Sequence, residues 1–274
     1  MSNGADLHVH TDVSDGLHSP AEVVQMASEA GLSALAISDH DAVDGIALAL
    51  DAAATWPVEV IPAVEISTEG DGNLEVHVLG YLIDWTAAEL VQHLSLLRDS
   101  RLSRAMAMCR RLGELGMPIP WERVREIAGE GSIGRPHLAR VLQEEGFVAS
   151  TREAFDLYLA RGKPAYVPRY KITAVQALHL IERAGGLPVL AHPWGLDHLL
   201  GGLAAQGLVG LETHYPGYTP DMVEHLSQLA AALNLVCTGG SDFHGLAMLP
   251  DNRLGETRVS MECVDALRLR RQKG

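Results

Sequence analysis

Short apolar runs in this chain end, one after another, in histidine or carboxylate. Leu32–Ser38 leads into Asp39-His40-Asp41, Val58–Val64 into Glu65, Leu187–Ala191 into His192-Pro193, and Leu235–Thr238 into Gly239-Gly240-Ser241-Asp242-Phe243-His244. Runs this short, apolar throughout and separated by helical stretches, read as buried parallel strands joined by crossover helices. Such strands bring their C-terminal ends to one rim, which in a (β/α) barrel is where active sites are built. The first stretch, Asp6-Leu7-His8-Val9-His10-Thr11-Asp12-Val13-Ser14-Asp15-Gly16, fits the same plan. Its period-two alternation sends His8 and His10 to one face, about 7 Å apart by strand rise. The turn at Ser14-Asp15-Gly16 can swing the Asp15 carboxylate back over that face. Glu75–Tyr81 alternates likewise, with His77 among its polar positions, and reads as the next strand of the same parallel order.

Helices are signalled by their caps. Ser19-Pro20-Ala21-Glu22 is a capping box with proline at the first helical position, and Thr173 with Gln176 forms another. Helices are expected over Val43–Ala54, Asp197–Gln206, Pro220–Leu233 and Met261–Arg271, and further strands over Leu208–Thr213 and Leu235–Thr238. Thr86-Ala87-Ala88-Glu89 reads as a capping box opening a helix to about Gly116, followed by helices near Trp121–Gly129, Pro136–Glu145 and Arg152–Leu159. With no strand in that stretch, residues 86–163 are expected to be an all-helical insertion, and 1–85 with 164–274 the barrel. Most of the insertion's arginines read as a solvated helical face.

The 274 residues, 47% of them hydrophobic, suffice for one large α/β barrel. No apolar run reaches membrane-spanning length and the sequence does not open on a basic-then-apolar leader, so a cytoplasmic protein with no membrane partner is expected. A net charge of -14 disfavours capture of long nucleic acid. It disfavours a small phosphate ester less, because bound metal ions reverse the local field. Cys109, Cys237 and Cys263 are odd in number and far apart, and read as reduced core residues.

Taken singly, any histidine here is an ordinary core or surface residue. Taken together, His8, His10, Asp15, His40, Glu65, His77, His192, Asp242 and His244 share one rim, and they exceed what a single ion can use. Two or three divalent ions with bridging carboxylates are therefore expected. A barrel amidohydrolase would use a metal-bridging lysine instead, but the first lysines, Lys163 and Lys171, fall at the end of the insertion, away from any strand tip.

In this order, Asp6-Leu7-His8-Val9-His10-Thr11, Ser14-Asp15-Gly16, Ser38-Asp39-His40-Asp41, Glu65, His77, Ala191-His192-Pro193 and Gly240-Ser241-Asp242-Phe243-His244 resemble the motifs of the PHP (polymerase and histidinol phosphatase) family. The resemblance implies a distorted (β/α)₇ TIM-like barrel with a trinuclear centre, manganese first, with zinc or iron as alternatives. It implies His8, His10, Glu65 and Asp242 at the first ion, Glu65, His77 and His192 at the second, and Asp15, His40 and His244 at the third. The helical insertion is similar to that of the subgroup acting on nucleotides, where it closes over the barrel mouth. That similarity makes Ser103, Arg104, Arg135 and His137 the candidate substrate contacts, within Ser100-Arg101-Leu102-Ser103-Arg104 and Ser132-Ile133-Gly134-Arg135-Pro136-His137. An arginine at a helix start is a favourable anion site. The expected reaction is hydrolysis of the 3′-phosphate of a 3′,5′-bisphosphonucleoside such as pAp by a hydroxide bridging the ions, with Asp15 and His40 in the catalytic set and His192 aiding protonation of the leaving oxygen. The partner is thus a small nucleotide. The alternatives are a 5′→3′ exonuclease on short 5′-phosphorylated oligonucleotides, a histidinol phosphate-type phosphatase and a non-catalytic metal-binding module.

Overall fold

The Ser19 hydroxyl accepts from the Glu22 N–H and the Glu22 carboxylate accepts from the Ser19 N–H, so helix α1 (Pro20–Glu29) begins at the capping box its sequence announces. Its apolar stripe, Val23, Val24 and Ala27, is fully buried with Leu35, Ile37 and Ala49 in one core cluster. This is the βα logic of the first unit: continuous apolar strands against one-sided helices. A computed structural model describes residues 4–69, 75–129, 133–168, 170, 172–246 and 252–272. Two compact units result, Met1–His93 with Lys171–Gly274, and Leu94–Tyr170.

In the first unit the strands are β1 (Gly4–Val9), β2 (Ala34–Ile37), β3 (Glu59–Glu69), β4 (Glu75–Tyr81), β5 (Ile172–Thr173), β6 (Leu187–Leu190), β7 (Gly210–His214), β8 (Val236–Gly239) and β9 (Val259–Ser260). They form one sheet in the order β8-β7-β6-β4-β3-β2-β1-β9, with β5 pairing β3. The residues after β8 return to β1: Val9 bridges Phe243 and the His10 N–H donates to the Phe243 carbonyl at 3.0 Å. The sheet is thus a nearly closed α/β barrel. Helices α2 (Gly45–Ala53), α7 (Ala174–Arg183), α8 (Asp197–Ala205), α9 (Pro220–Ala232) and α10 (Met261–Arg271) belong to it.

Two sequence expectations need correction. β4 is antiparallel to both β3 and β6, not a member of a uniformly parallel series. Only residues 70–74 separate it from β3, and a parallel crossover needs a dozen residues or more. Thr86 does not cap a helix: its N–H and hydroxyl both donate to Asp84, at 2.9 and 2.6 Å, and helix α3 (Ala88–Glu114) starts two residues later. The capping box at Thr173 forms as expected, whereas the two-residue strands β5 and β9 carry too little pattern to be read. No helix among the described residues is long and apolar enough to cross a membrane.

The second unit holds most of α3 (Ala88–Glu114), then α4 (Trp121–Ala128), α5 (Arg135–Glu144), α6 (Thr151–Ala154) and a π-helical turn over Phe155–Leu159. It has its own core, in which Met108, Leu112, Val124, Leu138, Leu142 and Leu159 are all buried.

Candidate metal centre

Glu65 is the hub of the first unit. It is the seventh residue of β3 and pairs with His40 across a β-bridge. Opposite Ser67 on the neighbouring strand stands His77, so alternation puts Glu65 and His77 on one face of the sheet. His77 reaches this rim because β4 runs backwards: its third residue lies where parallel strands have their C-terminal ends. The Glu65 Oε1 atom is 2.9 Å from His77 Nδ1 and 3.3 Å from His192 Nε2. Its Oε2 is 2.9 Å from His40 Nδ1 and 3.3 Å from both His8 Nε2 and His10 Nε2. Asp242 Oδ1 stands 3.1 Å from His10 Nε2 and 3.3 Å from His8 Nε2, and His244 Nε2 lies 3.3 Å from Asp15 Oδ1. The structure therefore brings all nine rim residues into one cluster. Three groups within it offer ligand atoms lying within 4.8 Å of one another: His10, Asp15, His40 and His244; His8, His10 and Glu65; and His40, Glu65 and His77.

Whether divalent ions suit this cluster is tested by its polar atoms. His8 Nε2, both ring nitrogens of His10, His40 Nδ1, Asp15 Oδ1 and Glu65 Oε2 are buried with no well-aligned hydrogen bond, although several stand within 3.3 Å of one another. Burying that many unpaired polar atoms would cost about 1–3 kcal/mol each. Ions coordinated by imidazole and carboxylate remove that cost, and the donor set suits Mn²⁺, Zn²⁺ or Fe²⁺. The residues present fit such ions. His192 and Asp242 hold φ values of +29° and +48°, a region costly for non-glycine residues and typical of functional positions.

Charge in the cluster is sorted by environment. Burial pushes the His40 imidazole down to about 4, outweighing the Glu65 and Asp15 carboxylates. Burial also opposes charge on His244, but Asp15 and Asp242 hold it up at about 10. Burial would raise the Glu65 carboxyl; the surrounding imidazoles, His40 and His77 foremost, overcome it and keep it well below its ordinary value.

A second ring of residues, not recognised from the sequence as functional, holds the ligands. Fully buried Glu212 in β7 sits 2.8 Å from His8 Nδ1 through Oε1, and its Oε2 accepts the His192 N–H at 2.6 Å. A proton on His8 Nδ1 leaves Nε2 bare for a cation, the arrangement that orients metal-binding histidines. The Tyr215 hydroxyl donates to Asp242 Oδ2 at 2.7 Å. Asp39 accepts from the Thr11 N–H and the Thr11 and Ser14 hydroxyls at 2.6–2.8 Å, fixing the turn that carries Asp15. The visible signal for Glu212 was a carboxylate inside the apolar run Leu208–Thr213, because a buried charge must have partners.

In the second unit, Arg104 and Arg135 line one small cleft with Arg101 and Gly134. Arg104 Nε donates to the Val167 carbonyl at 2.9 Å and its guanidinium lies over the Tyr166 ring; Arg135 opens α5 and lies over Phe155. His137 is buried and its Nδ1 accepts the Gly134 N–H at 2.9 Å, so it secures the start of α5. Ser103 is exposed on α3 and is not among the cleft's lining residues. Lys163, considered for a lysine-bridged centre, is an exposed residue of the second unit; Ser132 and Lys171 lie outside the described residues.

Comparison with known proteins agrees with this chemistry. The family model described as PHP domain matches residues 6–132. The chain is 36% identical over 253 residues to the 5′-3′ exoribonuclease Rnm of Salmonella typhimurium, covering 87% of this chain and 84% of that protein. It is 33% identical over 247 residues to the 3′,5′-nucleoside bisphosphate phosphatase of Chromobacterium violaceum, covering 87% and 86%. A solved structure from Bifidobacterium adolescentis, assigned as a metal-dependent phosphoesterase, superposes with a TM-score of 0.90 at 31% identity, covering 98% of this chain and 97% of that one.

Proposed function

This chain belongs to the PHP domain family of metal-dependent phosphoesterases, and on that premise we propose that it hydrolyses the phosphoester on the 3′-oxygen of a nucleotide that also carries a 5′-phosphate, with a 3′,5′-bisphosphonucleoside such as pAp as substrate. The observation that carries the reading is the buried ring of imidazoles and carboxylates around Glu65, whose ligand atoms gather into three groups each able to hold an ion. Divalent ions there, manganese foremost, supply Lewis-acid charge and lower the pKa of water toward neutrality. In the reaction a water oxygen forms a bond to phosphorus, the bond from phosphorus to the 3′-oxygen breaks, and that oxygen leaves with a proton as the 3′-hydroxyl of AMP. His192, whose side chain is 29% exposed against 0% for His8 and His10, is the ring member best reached by a substrate, and we assign it that proton. Asp15 and His40 would hold an ion together with His10 and His244. Arg104 and Arg135, brought to one cleft of the second unit, suit a phosphate group, since guanidinium pairs well with phosphate oxygens. Ser103 and His137 belong to the same proposed contact set, His137 by holding the turn that presents Arg135.

Trimming of RNA from a 5′-phosphorylated end attacks the same bond. The only change is that the phosphate keeps the next nucleotide as a substituent and leaves with it. The identity to Rnm favours that second reading, while the net charge of -14 favours the smaller substrate. The experiment is product analysis with Mn²⁺ on pAp, 3′-AMP, 5′-AMP, histidinol phosphate and a 5′-phosphorylated RNA trinucleotide. Conversion of pAp to AMP and phosphate is expected to dominate. Trimming of the trinucleotide with little pAp turnover would make the chain a nuclease, and no turnover on any of the five would end the proposal.

A further inference from the structure

Trp194 is 49% exposed, one of the large apolar side chains that the first unit leaves in water. Yet it is held on several sides. Its backbone N–H donates to the Tyr218 hydroxyl at 3.2 Å, and its indole meets the Tyr218 ring at 6.3 Å and 56° and the His225 ring at 5.8 Å and 78°. His225 is itself fixed by Asp197 at 2.7 Å. Neither neighbouring ring stacks parallel on the indole. The aromatic series continues inward from Tyr218 to Tyr215 at 5.3 Å and from Tyr215 to His192 at 5.6 Å, ending at the metal cluster. Trp194 also lies two residues from His192, so their Cα atoms are at most about 7.6 Å apart. Pro193 and Gly195, the latter at φ +83°, stiffen and turn the chain on either side.

We infer that Trp194 is the platform on which the nucleobase of the substrate stacks while its 3′-phosphate lies at the metal cluster. A half-exposed indole held by Tyr218 and His225, on the loop that carries His192, suits a flat, uncharged group joined to the phosphate through a sugar. Stacking tolerates any base because every base has a π-face. The platform therefore selects nucleotides over other phosphate esters without selecting one base. This inference rests on the function proposed above and names how that site recognises its substrate.

The test uses AMP, the product of both pAp hydrolysis and RNA trimming at an adenosine end, and ribose 5-phosphate, which lacks the base. Calorimetric titration of the metal-replete protein with each gives an affinity ratio. In Trp194→Ala that ratio is expected to fall about ten- to hundredfold, the effect of losing one base–aromatic stack, while Trp194→Phe retains most of it. AMP is also expected to quench tryptophan fluorescence in the natural protein and much less in Trp194→Phe, against the background of the chain's other three tryptophans. An unchanged ratio in Trp194→Ala, or undiminished quenching in Trp194→Phe, overturns the platform even if pAp is turned over. Conversely, a chain that binds AMP through Trp194 but hydrolyses neither pAp nor RNA keeps the platform and loses the proposed reaction.

Discussion

Replacing Glu212 by glutamine tests the ligand-holding ring without changing its volume. Oε1 of Glu212 faces His8 Nδ1 and Oε2 accepts the His192 N–H, so both oxygens act as acceptors. Glutamine has one acceptor and one donor end. If its oxygen takes the His192 N–H, its amide faces His8 Nδ1 and forces the proton to Nε2, the atom that points at Glu65 and Asp242. If it turns over, the amide meets the His192 N–H at what is now a 2.6 Å contact, two donors face to face. Either way one ligand is lost or displaced. Second-ring substitutions of this kind weaken metal binding by about 10- to 100-fold. The charge-assisted bonds that disappear are worth about 1.5–3 kcal/mol each, so the metal-free protein also loses stability, at roughly 2–4 °C of melting temperature per kcal/mol. Equilibrium dialysis against Mn²⁺ and thermal melts with and without the ion measure both. A Glu212→Gln variant that binds Mn²⁺ within about twofold of the natural protein would refute the tautomer argument.

Glu65→Gln removes the charge shared by five imidazoles; after dialysis, elemental analysis should find fewer bound ions per chain, and an unaltered content would count against Glu65 as the bridging ligand. Chelation with EDTA should lower the melting temperature of the natural protein, because ions that bind only the folded state stabilise it by about 4 kcal/mol at a thousandfold excess over Kd. In Gly240→Ala the new Cβ would stand 2.3 Å from the His8 backbone nitrogen and 2.5 Å from its Cβ, neither able to yield, so the variant should melt well below the natural protein; an equal melting temperature would show that β8 and β1 can part. Burial raises the Cys109 thiol to about 11 and the Cys263 thiol to about 12. At pH 8 their alkylation, followed by mass spectrometry, should be about a hundred and a thousand times slower than that of an ordinary thiol, rising tenfold per pH unit; labelling as fast as in the unfolded chain would contradict their burial.

The parts legible in the sequence were those whose chemistry restricts residue type. Side-chain metal ligands come from a few residue types, chiefly His, Cys, Asp and Glu, and a parallel strand buried on both faces must be apolar, so His40, His192 and Asp242 stood out after apolar runs. Glu65 stood out too, although β3 does not end there but runs on to Glu69. The direction of β4 did not, because an alternating strand reads the same both ways; the short interval of residues 70–74 was the cue, and it outweighs periodicity. The start of α3 was misread for a related reason: a threonine followed by Glu89 satisfies the capping pattern, but Asp84 competes for the same hydroxyl and the structure follows Asp84.

The residues that hold the ligands stayed hidden because their partners are far away along the chain. Glu212 acts on His8 across 204 positions, and Asp6 accepts the N–H groups of Ser241 and Gly255 across 235 and 249. No local pattern encodes such pairs; they exist only once the barrel closes. The same bonds join β1 to the segment after β8, directly beside His8, His10 and Asp242. Closing the barrel and assembling the centre are therefore one event. A change such as Gly240→Ala should damage fold and metal binding together, whereas Glu212→Gln should damage metal binding by far the more. The contrast between those two variants separates residues that build the rim from residues that tune it.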